Sequence, residues 1–314
     1  MSPKATAPRP TLRGRDLLRT TDLDAAELEA ILDLAARTKA DRALLSGALS
    51  GRVMALLFEK PSLRTKSSFA AAAARLGMVT VSFGTEEIGL GSRESVSDGA
   101  RVLGRYFDLL VHRTFGQARL DELATHCPVP VVNGLTDHEH PCQALADLMT
   151  LRERFGRLEG LRLAWIGDGN NVCHSLMLAC ALAGVGMAVA TPEGHAPDPA
   201  VVTEALRLGG DLDLGLEPAA AAEGAHAVVT DTWISMGREE EAAARALAFA
   251  PFRVDASLMA RARPDAVFLH CLPAHRGQEV TEDVFEGPSS AVFDEAENRM
   301  HVQLALMALL LGAG

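Results

Sequence analysis

The first half of the chain alternates between apolar residues at helical spacing and short apolar runs. Asp24 and Glu27 have the spacing of a capping box, and apolar residues follow at positions 28, 31, 32 and 35, which predicts a helix. The apolar run at 53–58 is typical of a buried strand, and a polar turn separates it from a second predicted helix through the alanines at 70–74. Further strands are predicted at 79–83, 109–111 and 129–132.

The second half repeats this alternation after a long helix. Residues 141–155 carry proline in the first turn and leucines inside, which predicts a helix suited to joining two domains. Alanine-rich stretches at 219–222 and 242–244 are predicted to be surface helices, and an amphipathic helix at 295–311 closes the chain. Helical segments alternate with predicted strands at 161–166, 187–190, 227–230, 266–270 and 291–293. Such alternation implies α/β domains in which helices cover both faces of a parallel sheet.

The length of the chain indicates how many domains it has, and its charge indicates which partners it can bind. At 314 residues it exceeds what one hydrophobic core usually serves, so two domains are expected. Thirty lysines and arginines against 41 acidic residues give a net charge of −11, which argues against nucleic acid as a partner. Small anions remain suitable ligands, because a local arginine cluster can outweigh a distant net charge. No apolar run approaches the roughly 18 residues of a membrane span, so no membrane partner is expected.

The cysteines and the first residues bear on cellular location. Five cysteines without CxxC or other metal-ligand spacing favour reduced thiols in the cytoplasm and no metal site. The first fifteen residues carry four basic groups and no acid, a composition that an organellar presequence also has. Three prolines break any amphipathic helix there, which favours a short disordered tail instead.

Polar residues cluster directly after the predicted strands, where ligands bind in open parallel sheets. Residues 62–65, Ser-Leu-Arg-Thr, follow the strand at 53–58, and their hydroxyls, guanidinium and N–H groups at a helix start suit a phosphate. Each such residue alone also fits an ordinary helix cap or surface side chain, but their shared placement favours ligand binding. The other candidates placed in this way are Arg113, His140, Gln143, Asp231, Ser235, Met236, Gly237, His270, Cys271 and Leu272.

The turn at 167–172, Gly-Asp-Gly-Asn-Asn-Val, follows a predicted strand and opens a helix. This arrangement suggests a dinucleotide fold, so an NAD-dependent oxidoreductase is the alternative from a different class. Val172 stands where the dinucleotide fingerprint has its third glycine. The turn is therefore better interpreted as one that displays Asn171 into a cleft.

Five segments taken together resemble the ornithine carbamoyltransferase family, in that family's order. The likeness runs from about residue 18 to residue 311 and so covers nearly the whole chain. It implies transfer of the carbamoyl group of carbamoyl phosphate to the side-chain amine of L-ornithine, with no cofactor. The segments are Phe58-Glu59-Lys60-Pro61-Ser62-Leu63-Arg64-Thr65, His140-Pro141-Cys142-Gln143, Asp231 with Ser235-Met236-Gly237, His270-Cys271-Leu272-Pro273, and Phe293-Asp294-Glu295-Ala296-Glu297-Asn298-Arg299.

The resemblance also implies an architecture of two doubly wound parallel-sheet domains joined by crossing helices. Residues 1–140 would form the carbamoyl-phosphate-binding domain, with the C-terminal helix at 295–314 packing back on it. Residues 141–294 would form the ornithine-binding domain. A cytoplasmic homotrimer, or a multiple of trimers, is the assembly implied.

The resemblance distributes roles over the candidate residues. Arg113 and neutral His140 suit the negative charge that builds on the carbonyl oxygen when an amine attacks, and Arg64 and Arg299 suit the departing phosphate. Asp231 suits the α-ammonium group of ornithine. The implied carbamoyl phosphate ligands are Ser62, Leu63 through its backbone, Arg64, Thr65, Arg113, His140, Gln143, Cys271, Leu272 and Arg299. The implied ornithine ligands are Asn171, Asp231, Ser235 and Met236, and the implied catalytic residues are Arg113, His140 and Cys271.

Four positions depart from the family pattern, and several acceptors stay open. Leu63 replaces a common Thr, Lys66 an Arg, Ala70 a frequent Glu, and Glu87 a Gln that in relatives reaches a neighbouring subunit's carbamoyl phosphate. An aspartate acceptor would call for Pro-Gly-Pro in place of the residues after His270, which this chain lacks. Acetylornithine and putrescine are harder to exclude. A non-catalytic binding subunit is a further alternative, but every residue assigned to the chemistry is present.

Overall fold

The computed structural model describes residues 12–234 and 239–314. Most of the expected N-terminal tail lies outside the described residues. Ser235, Met236 and Gly237 also lie outside them. The chain divides into two compact units: the first runs to Leu135 and includes Met300–Gly314, and the second is Thr136–Arg299. Within the described residues, no helix is both long and apolar enough to cross a membrane.

The first unit contains a four-stranded sheet and opens with the helix that the capping box predicts. The Asp24 carboxylate accepts the Glu27 N–H at 2.8 Å, and the Glu27 carboxylate accepts the Asp24 N–H at 3.0 Å. The strands predicted at 53–58 and 79–83 form with those bounds. The elements are α1 (Ala25–Ala40), β1 (Val53–Phe58), α2 (Leu63–Arg75), β2 (Val79–Phe83), α3 (Thr85–Ile88), α4 (Val96–Tyr106), β3 (Leu109–Arg113), α5 (Gln117–His126) and β4 (Val131–Leu135).

The strands of the first unit are all parallel, in the order β2-β1-β3-β4. The chain passes outward from β1 to β2 and then returns to the other side of β1 for β3 and β4, so the order reverses between β1 and β3. Phe58 and Arg113 are register partners at the ends of those two strands. A reversal of this kind opens a crevice at the carboxyl ends of the strands. The loops that follow β1 and β3 therefore start side by side.

The second unit contains a five-stranded parallel sheet. Its first helix has Pro141 in the first turn and ends at Gly156, whose φ of +72° lies in the left-handed region. The elements are α6 (Pro141–Phe155), β5 (Arg162–Ile166), α7 (Asn171–Ala183), β6 (Gly186–Ala190), α8 (Pro199–Arg207), β7 (Leu212–Leu214), α9 (Pro218–Ala222), β8 (Ala227–Thr230), α10 (Ala242–Phe249), α11 (Ala256–Met259), β9 (Val267–His270), α12 (Glu282–Phe285) and α13 (Val292–Leu310).

The strand order of the second sheet is β7-β6-β5-β8-β9, and it reverses between β5 and β8. The residues of β6, β8 and β9 are buried throughout, as expected for parallel strands that are covered on both faces. The loops after β5 and β8, at 167–170 and from Asp231 onward, leave the sheet at the reversal. The predicted fold class of two doubly wound α/β domains is confirmed.

Two predictions about single elements were wrong, and one strand was missed. The apolar residues at 291–293 do not form a strand: the parallel pairing to Phe268 reaches only Ser290, and α13 begins at Val292. A short apolar run does not distinguish a strand from the first turn of a helix. Ala221 and Ala222 of α9 are fully buried rather than on the surface. The edge strand β7 was missed because its sequence, Leu-Asp-Leu, is too short and polar to indicate one.

Glu59, directly after β1, carries a buried negative charge that the neighbouring loop neutralises. Its carboxylate accepts hydrogen bonds from Thr114 Oγ1 at 2.6 Å and from the Arg119 guanidinium at 3.0 Å, and His112 Nε2 lies 3.5 Å away. Burial by itself raises the pKa of Glu59, but the contacts with His112, Thr114 and Arg119 together lower it to about 2. The ionised Glu59 side chain thus holds the loop after β1 against the end of β3 and against α5 through these contacts.

Glu59→Gln should destabilise the protein at neutral pH by about 2–3 kcal/mol, because a pKa near 2 against about 4.5 in the unfolded chain stabilises the folded state when the carboxylate is ionised. That stabilisation is present above pH 4.5 and is lost as the pH falls toward 2. Urea unfolding of wild type and variant should therefore differ at pH 7 and converge below about pH 2.5. Glu122→Gln, at an exposed position of α5, is the control and should track wild type. Equal unfolding free energies at pH 7 for Glu59→Gln and wild type would contradict this interpretation.

Candidate active site

The start of α2 presents the predicted phosphate-binding segment of the first unit. Ser62 caps the helix, and its Oγ accepts the Thr65 N–H at 3.2 Å. Thr65 is buried and Arg64 half-buried, whereas the Leu63 side chain is 79% exposed. The N–H groups at a helix start have no intrahelical partner and carry partial positive charge, so this turn together with Arg64 suits an anion. An exposed Leu63 side chain is compatible with a contact through the backbone of that residue.

Arg113 is the last residue of β3 rather than the first residue after it, and its side chain is buried. Its carbonyl accepts the Glu59 N–H at 2.9 Å, which joins the loop after β1 to the end of β3. The Lys60 ammonium group lies 4.4 Å from the centre of the Phe115 ring and adds a second contact between these loops. Two cationic side chains thus lie at the carboxyl ends of neighbouring strands, Lys60 in the loop after β1 and Arg113 at the end of β3.

In the second unit the segment that contains His140 is held against the start of α7. The His140 N–H donates to Ser175 Oγ at 2.8 Å, and the Ser175 hydroxyl donates to Glu139 Oε2 at 3.1 Å. Asn171 Nδ2 donates to the Thr136 carbonyl at 2.7 Å. This bond uses one of the two Nδ2 hydrogens, so the other hydrogen can be donated to a ligand carboxylate.

The turn after β5 is built for packing and capping, which argues against the dinucleotide alternative. A Cβ atom at Gly169 would lie 2.3 Å from the backbone nitrogen of Pro197, so the turn packs directly on a neighbouring loop. The Asn170 side chain caps α7 by accepting the N–H groups of Val172 and Cys173. A pyrophosphate would need those N–H groups. Two N–H groups of this helix start are therefore held by Asn170.

Asp231, directly after β8, is the centre of the predicted amino-acid site. Asn170 Nδ2 donates to one carboxylate oxygen at 2.7 Å, and the Thr232 N–H donates to the other at 2.7 Å. The Cys271 thiol, after β9, also donates to Asp231, with Sγ and Oδ1 3.1 Å apart. Loops that follow β5, β8 and β9 thus meet at one buried carboxylate. An anion held in this way is suited to bind an ammonium group.

Cys271 is a thiol rather than a thiolate at neutral pH. Burial and, after it, the negative charge of Asp231 raise the pKa of Cys271 well above its ordinary value. A protonated thiol cannot act as a general base. Its sulfur can accept a hydrogen bond from an amine while its own hydrogen stays on the sulfur and points to Asp231.

The loop that begins at His270 holds Leu272 in an unusual backbone conformation. Leu272 has a φ of +60°, which costs a non-glycine residue roughly 1–2 kcal/mol. Its N–H donates to His270 Nδ1 at 2.9 Å, so the ring hydrogen of a neutral His270 lies on Nε2, which faces Glu279 Oε1 at 3.2 Å. Glu279 is fully buried and also accepts the His275 N–H. These contacts orient the backbone of Leu272, the group to which the sequence assigns a ligand contact.

Asp231, His270 and Cys271 offer donor atoms that lie within 4.8 Å of one another, a spacing that a metal ion would accept. Both ring nitrogens of His270 already contact protein groups, the Leu272 N–H and Glu279. A metal ion at this position would have to replace one of those contacts. The arrangement therefore favours an organic cation near Asp231 and Cys271 over a metal centre.

Gln143 and Arg299 meet inside the second unit, as their shared assignment to carbamoyl phosphate requires. Arg299 Nη1 donates to Gln143 Oε1 at 2.5 Å, and both side chains are buried. Gln143 Nε2 donates to Asp147 and to Glu295, each at 2.7 Å. The sequence analysis gave no role to Asp147 or Glu295. The available signal was the pair Gln143 and Asp147, polar at i and i+4 in a helix whose other buried positions, except Thr150, are apolar.

Arg245 is another residue that the sequence analysis missed. It is buried, and its guanidinium contacts the Asp168 carboxylate, the Trp233 carbonyl and, at 3.3 Å, His195 Nδ1. It also lies over the Phe249 ring, 4.8 Å from the ring centre. Arg245 thereby connects the turn after β5 to the segment that leads into residues 235–237. The alanine-rich surroundings of Arg245 in the sequence suggested only a surface helix.

Two further positions complete the comparison with the sequence. Ser235 and Met236 lie outside the described residues, so their assignment stays a prediction. The Glu87 carboxylate accepts the Gly84 N–H at 2.7 Å and so caps α3. The Glu87 carboxylate therefore stabilises the start of α3 in the first unit.

The chain matches two family domains in sequence. Residues 15–153 match the carbamoyl-P binding domain of the aspartate/ornithine carbamoyltransferases, and residues 159–310 match their Asp/Orn binding domain. The ornithine carbamoyltransferase of Gloeobacter violaceus is 50% identical over 301 residues, which cover 95% of this chain and 96% of that protein. The ornithine carbamoyltransferase of Thermosynechococcus vestitus is also 50% identical, over 96% of this chain and 97% of the relative.

Solved structures give the same result for the fold. The ornithine carbamoyltransferase from Pyrococcus furiosus aligns with a TM-score of 0.94 at 43% identity, and the alignment covers 97% of this chain and 99% of that one. The enzyme from Gloeobacter violaceus aligns with a TM-score of 0.87 at 46% identity, over 96% of this chain and all of the other. On this agreement of sequence and fold, the chain belongs to the aspartate/ornithine carbamoyltransferase family and, within it, to the ornithine carbamoyltransferases.

Proposed function

We propose that the protein transfers the carbamoyl group of carbamoyl phosphate to the side-chain amine of L-ornithine, which gives L-citrulline and phosphate. Arginine biosynthesis uses this direction, and arginine catabolism uses the reverse. The first unit would supply the main phosphate-binding groups and the second unit the ornithine-binding groups. The observation that carries the proposal is the buried Asp231 carboxylate at the reversal of the second sheet, in contact with Asn170 and the Cys271 thiol.

The phosphate assignment is supported by the start of α2. Ser62, the Leu63 N–H, Arg64 and Thr65 bring together hydroxyls, backbone donors and a guanidinium at the carboxyl end of β1. This is the chemistry that a dianionic phosphoryl group requires. The phosphate gains negative charge as it leaves. A guanidinium can stabilise that charge by donating two hydrogen bonds to the phosphate oxygens.

The ornithine assignment is supported by the charge around Asp231. This carboxylate would bind the α-ammonium of the amino acid, while Asn171, Ser235 and Met236 would contact the rest of it. With that end fixed, the side-chain amine would approach the Cys271 sulfur, which can accept one of its hydrogens. Fixing both ends of the acceptor makes the attack effectively unimolecular and lowers its entropic cost.

The chemical step would proceed as follows. The neutral side-chain amine attacks the carbonyl carbon, and Arg113 and His140 stabilise the charge that builds on the carbonyl oxygen. Gln143, the Leu272 backbone and Arg299 hold the carbamoyl amide and the phosphate. The C–O bond to phosphate breaks with its electron pair on the phosphate oxygen, and the departing phosphate takes the proton that the nitrogen loses. Because Cys271 is a neutral thiol, it orients the amine rather than deprotonating it.

We further propose a cytoplasmic homotrimer, or a multiple of trimers, as the working assembly. The family resemblance supports the assembly. The five cysteines support the location, because all are free thiols in the structure and none forms a disulfide.

The first test concerns the acceptor. In a citrulline-type assay with carbamoyl phosphate, L-ornithine should give a kcat/KM at least about 100-fold above N-acetylornithine, putrescine and L-aspartate. N-acetylornithine has no α-ammonium charge, putrescine lacks the α-carboxylate, and L-aspartate lacks the distal amine. A missing charge-assisted contact of 1.5–3 kcal/mol accounts for roughly 10- to 150-fold by itself. Comparable turnover of any comparator would refute the ornithine assignment.

The second test concerns the phosphate site. Arg64→Ala should weaken carbamoyl phosphate binding by about 1.5–3 kcal/mol in a calorimetric titration, with little change in thermal stability. Arg75→Ala removes the same residue type from the other end of α2 and should bind like wild type. Unaltered affinity in Arg64→Ala would place the phosphate elsewhere.

The third test concerns the nucleophile. The ornithine side-chain amine has a free pKa of about 10, so at sub-saturating ornithine the rate should rise from about pH 6.5 to pH 8.5 as the neutral fraction grows. The raised pKa of Cys271 keeps the thiol protonated over that range, so Cys271→Ala should retain the same pH profile. Its kcat/KM for ornithine should fall roughly 10-fold or more through the lost contact, with carbamoyl phosphate affinity unchanged. Cys271→Ser, which keeps a donor to Asp231, should fall less. Wild-type kinetics in Cys271→Ala would make the cysteine a packing residue only.

A further inference from the structure

Two buried carboxyl groups surround the amide of Gln143 in the second unit. Asp147 lies one turn further along α6, and Glu295 lies in the first turn of α13. Gln143 Nε2 donates one hydrogen to Asp147 Oδ1 and the other to Glu295 Oε1, both at 2.7 Å. Arg299 donates to Gln143 Oε1 from the opposite side. All four side chains are at least nine-tenths buried.

The second oxygen of Glu295 contacts a different part of the site. Glu295 Oε2 accepts the backbone N–H of His270 at 2.9 Å, directly before Cys271 and Leu272. One carboxyl group therefore joins the Gln143 amide to the end of β9. Asp147 and Glu295 accept from the same Gln143 nitrogen, so the two carboxyl groups lie close together, and a proton shared between them removes the repulsion of two adjacent negative charges. Burial raises the pKa of both, that of Asp147 to about 6 and that of Glu295 well above its ordinary value, in agreement with that sharing.

We propose that Asp147 and Glu295 are positioning residues that lock the Gln143 amide with its oxygen facing Arg299 and the substrate, so that the site accepts a carbamoyl NH2 group. This inference rests on the proposed function. A carbamoyl NH2 needs an acceptor, and the two lone pairs of a glutamine oxygen can serve both Arg299 and that group. With the amide reversed, the NH2 groups of glutamine and substrate would face each other. The carboxyl pair excludes the reversed form because both carboxyls are placed to accept.

The proposal predicts opposite outcomes for two isosteric amides. In Asp147→Asn the new side chain accepts from Gln143 through its oxygen, and its nitrogen can donate to an ionised Glu295, so that one hydrogen and one negative charge still lie between the two side chains. In Glu295→Gln a single oxygen must serve both Gln143 and the His270 N–H, which lie on two different oxygens in wild type. One of these two buried donors then has no acceptor, or the Gln143 amide reverses its orientation.

The test compares carbamoyl phosphate with acetyl phosphate, which has a methyl group in place of the NH2 group. Their dissociation constants are measured by calorimetry on the full-length protein, with Gln143→Ala as the reference for a lost amide contact. Wild type should prefer carbamoyl phosphate by roughly 10-fold or more, and Gln143→Ala should lose that preference. Glu295→Gln should lose most of it as well, while Asp147→Asn should retain it to within about threefold. General damage to the fold would weaken both ligands alike and leave their ratio unchanged.

A Glu295→Gln variant that retains the wild-type preference would overturn the inference. If that variant does not fold, Asp147→Leu replaces it, since leucine removes one acceptor at similar volume, and retained preference in Asp147→Leu would equally overturn the inference. Wild-type protein that binds neither phosphate would instead refute the proposed function, so the two failures are distinguishable.

Discussion

The reversal of strand order in each sheet is the constraint on which the functional geometry depends. Parallel strands send all their carboxyl ends to one edge, and a reversal leaves two adjacent strands whose connections run to opposite faces. In the first unit these strands are β1 and β3, which bring the start of α2 beside Arg113. In the second unit they are β5 and β8, which bring Asn170 to Asp231. Side chains far apart in sequence meet because the sheets leave these edges open.

The second requirement is that buried charge be matched by donors. Asp168 is paired with Arg245, and Asp231 is surrounded by an amide, a backbone N–H and a thiol. An isolated carboxylate in such surroundings would cost several kcal/mol, so each acid fixes the position of the groups that satisfy it. The polar side chains of the second unit thus stabilise the conformation of the loops that carry them.

The sequence was most informative where local pattern and tertiary packing agree. The capping box at Asp24 and the proline start of α6 predicted their helices because the first turn of a helix has local requirements. The prediction of a strand at 291–293 was wrong because three apolar residues fit a strand or the start of a helix equally well. The candidate site was partly predictable, since polar residues after strands indicated Arg113, Asp231 and Cys271. The contacts of Glu295 with Gln143 and His270 join residues 152 and 25 positions apart, and no local pattern encodes such pairs.

The raised pKa values of the cysteines have a consequence for redox chemistry. Burial raises the pKa of all five thiols, that of Cys142 to about 12. Peroxides and disulfides react with the thiolate, which is scarce under these conditions. The carboxylate that orients the Cys271 sulfur also keeps its proton in place. Asp231 thereby makes the Cys271 sulfur a good hydrogen-bonding partner and a poor target for oxidation. The thiol can therefore lie beside a bound ligand and stay reduced without being held in a disulfide.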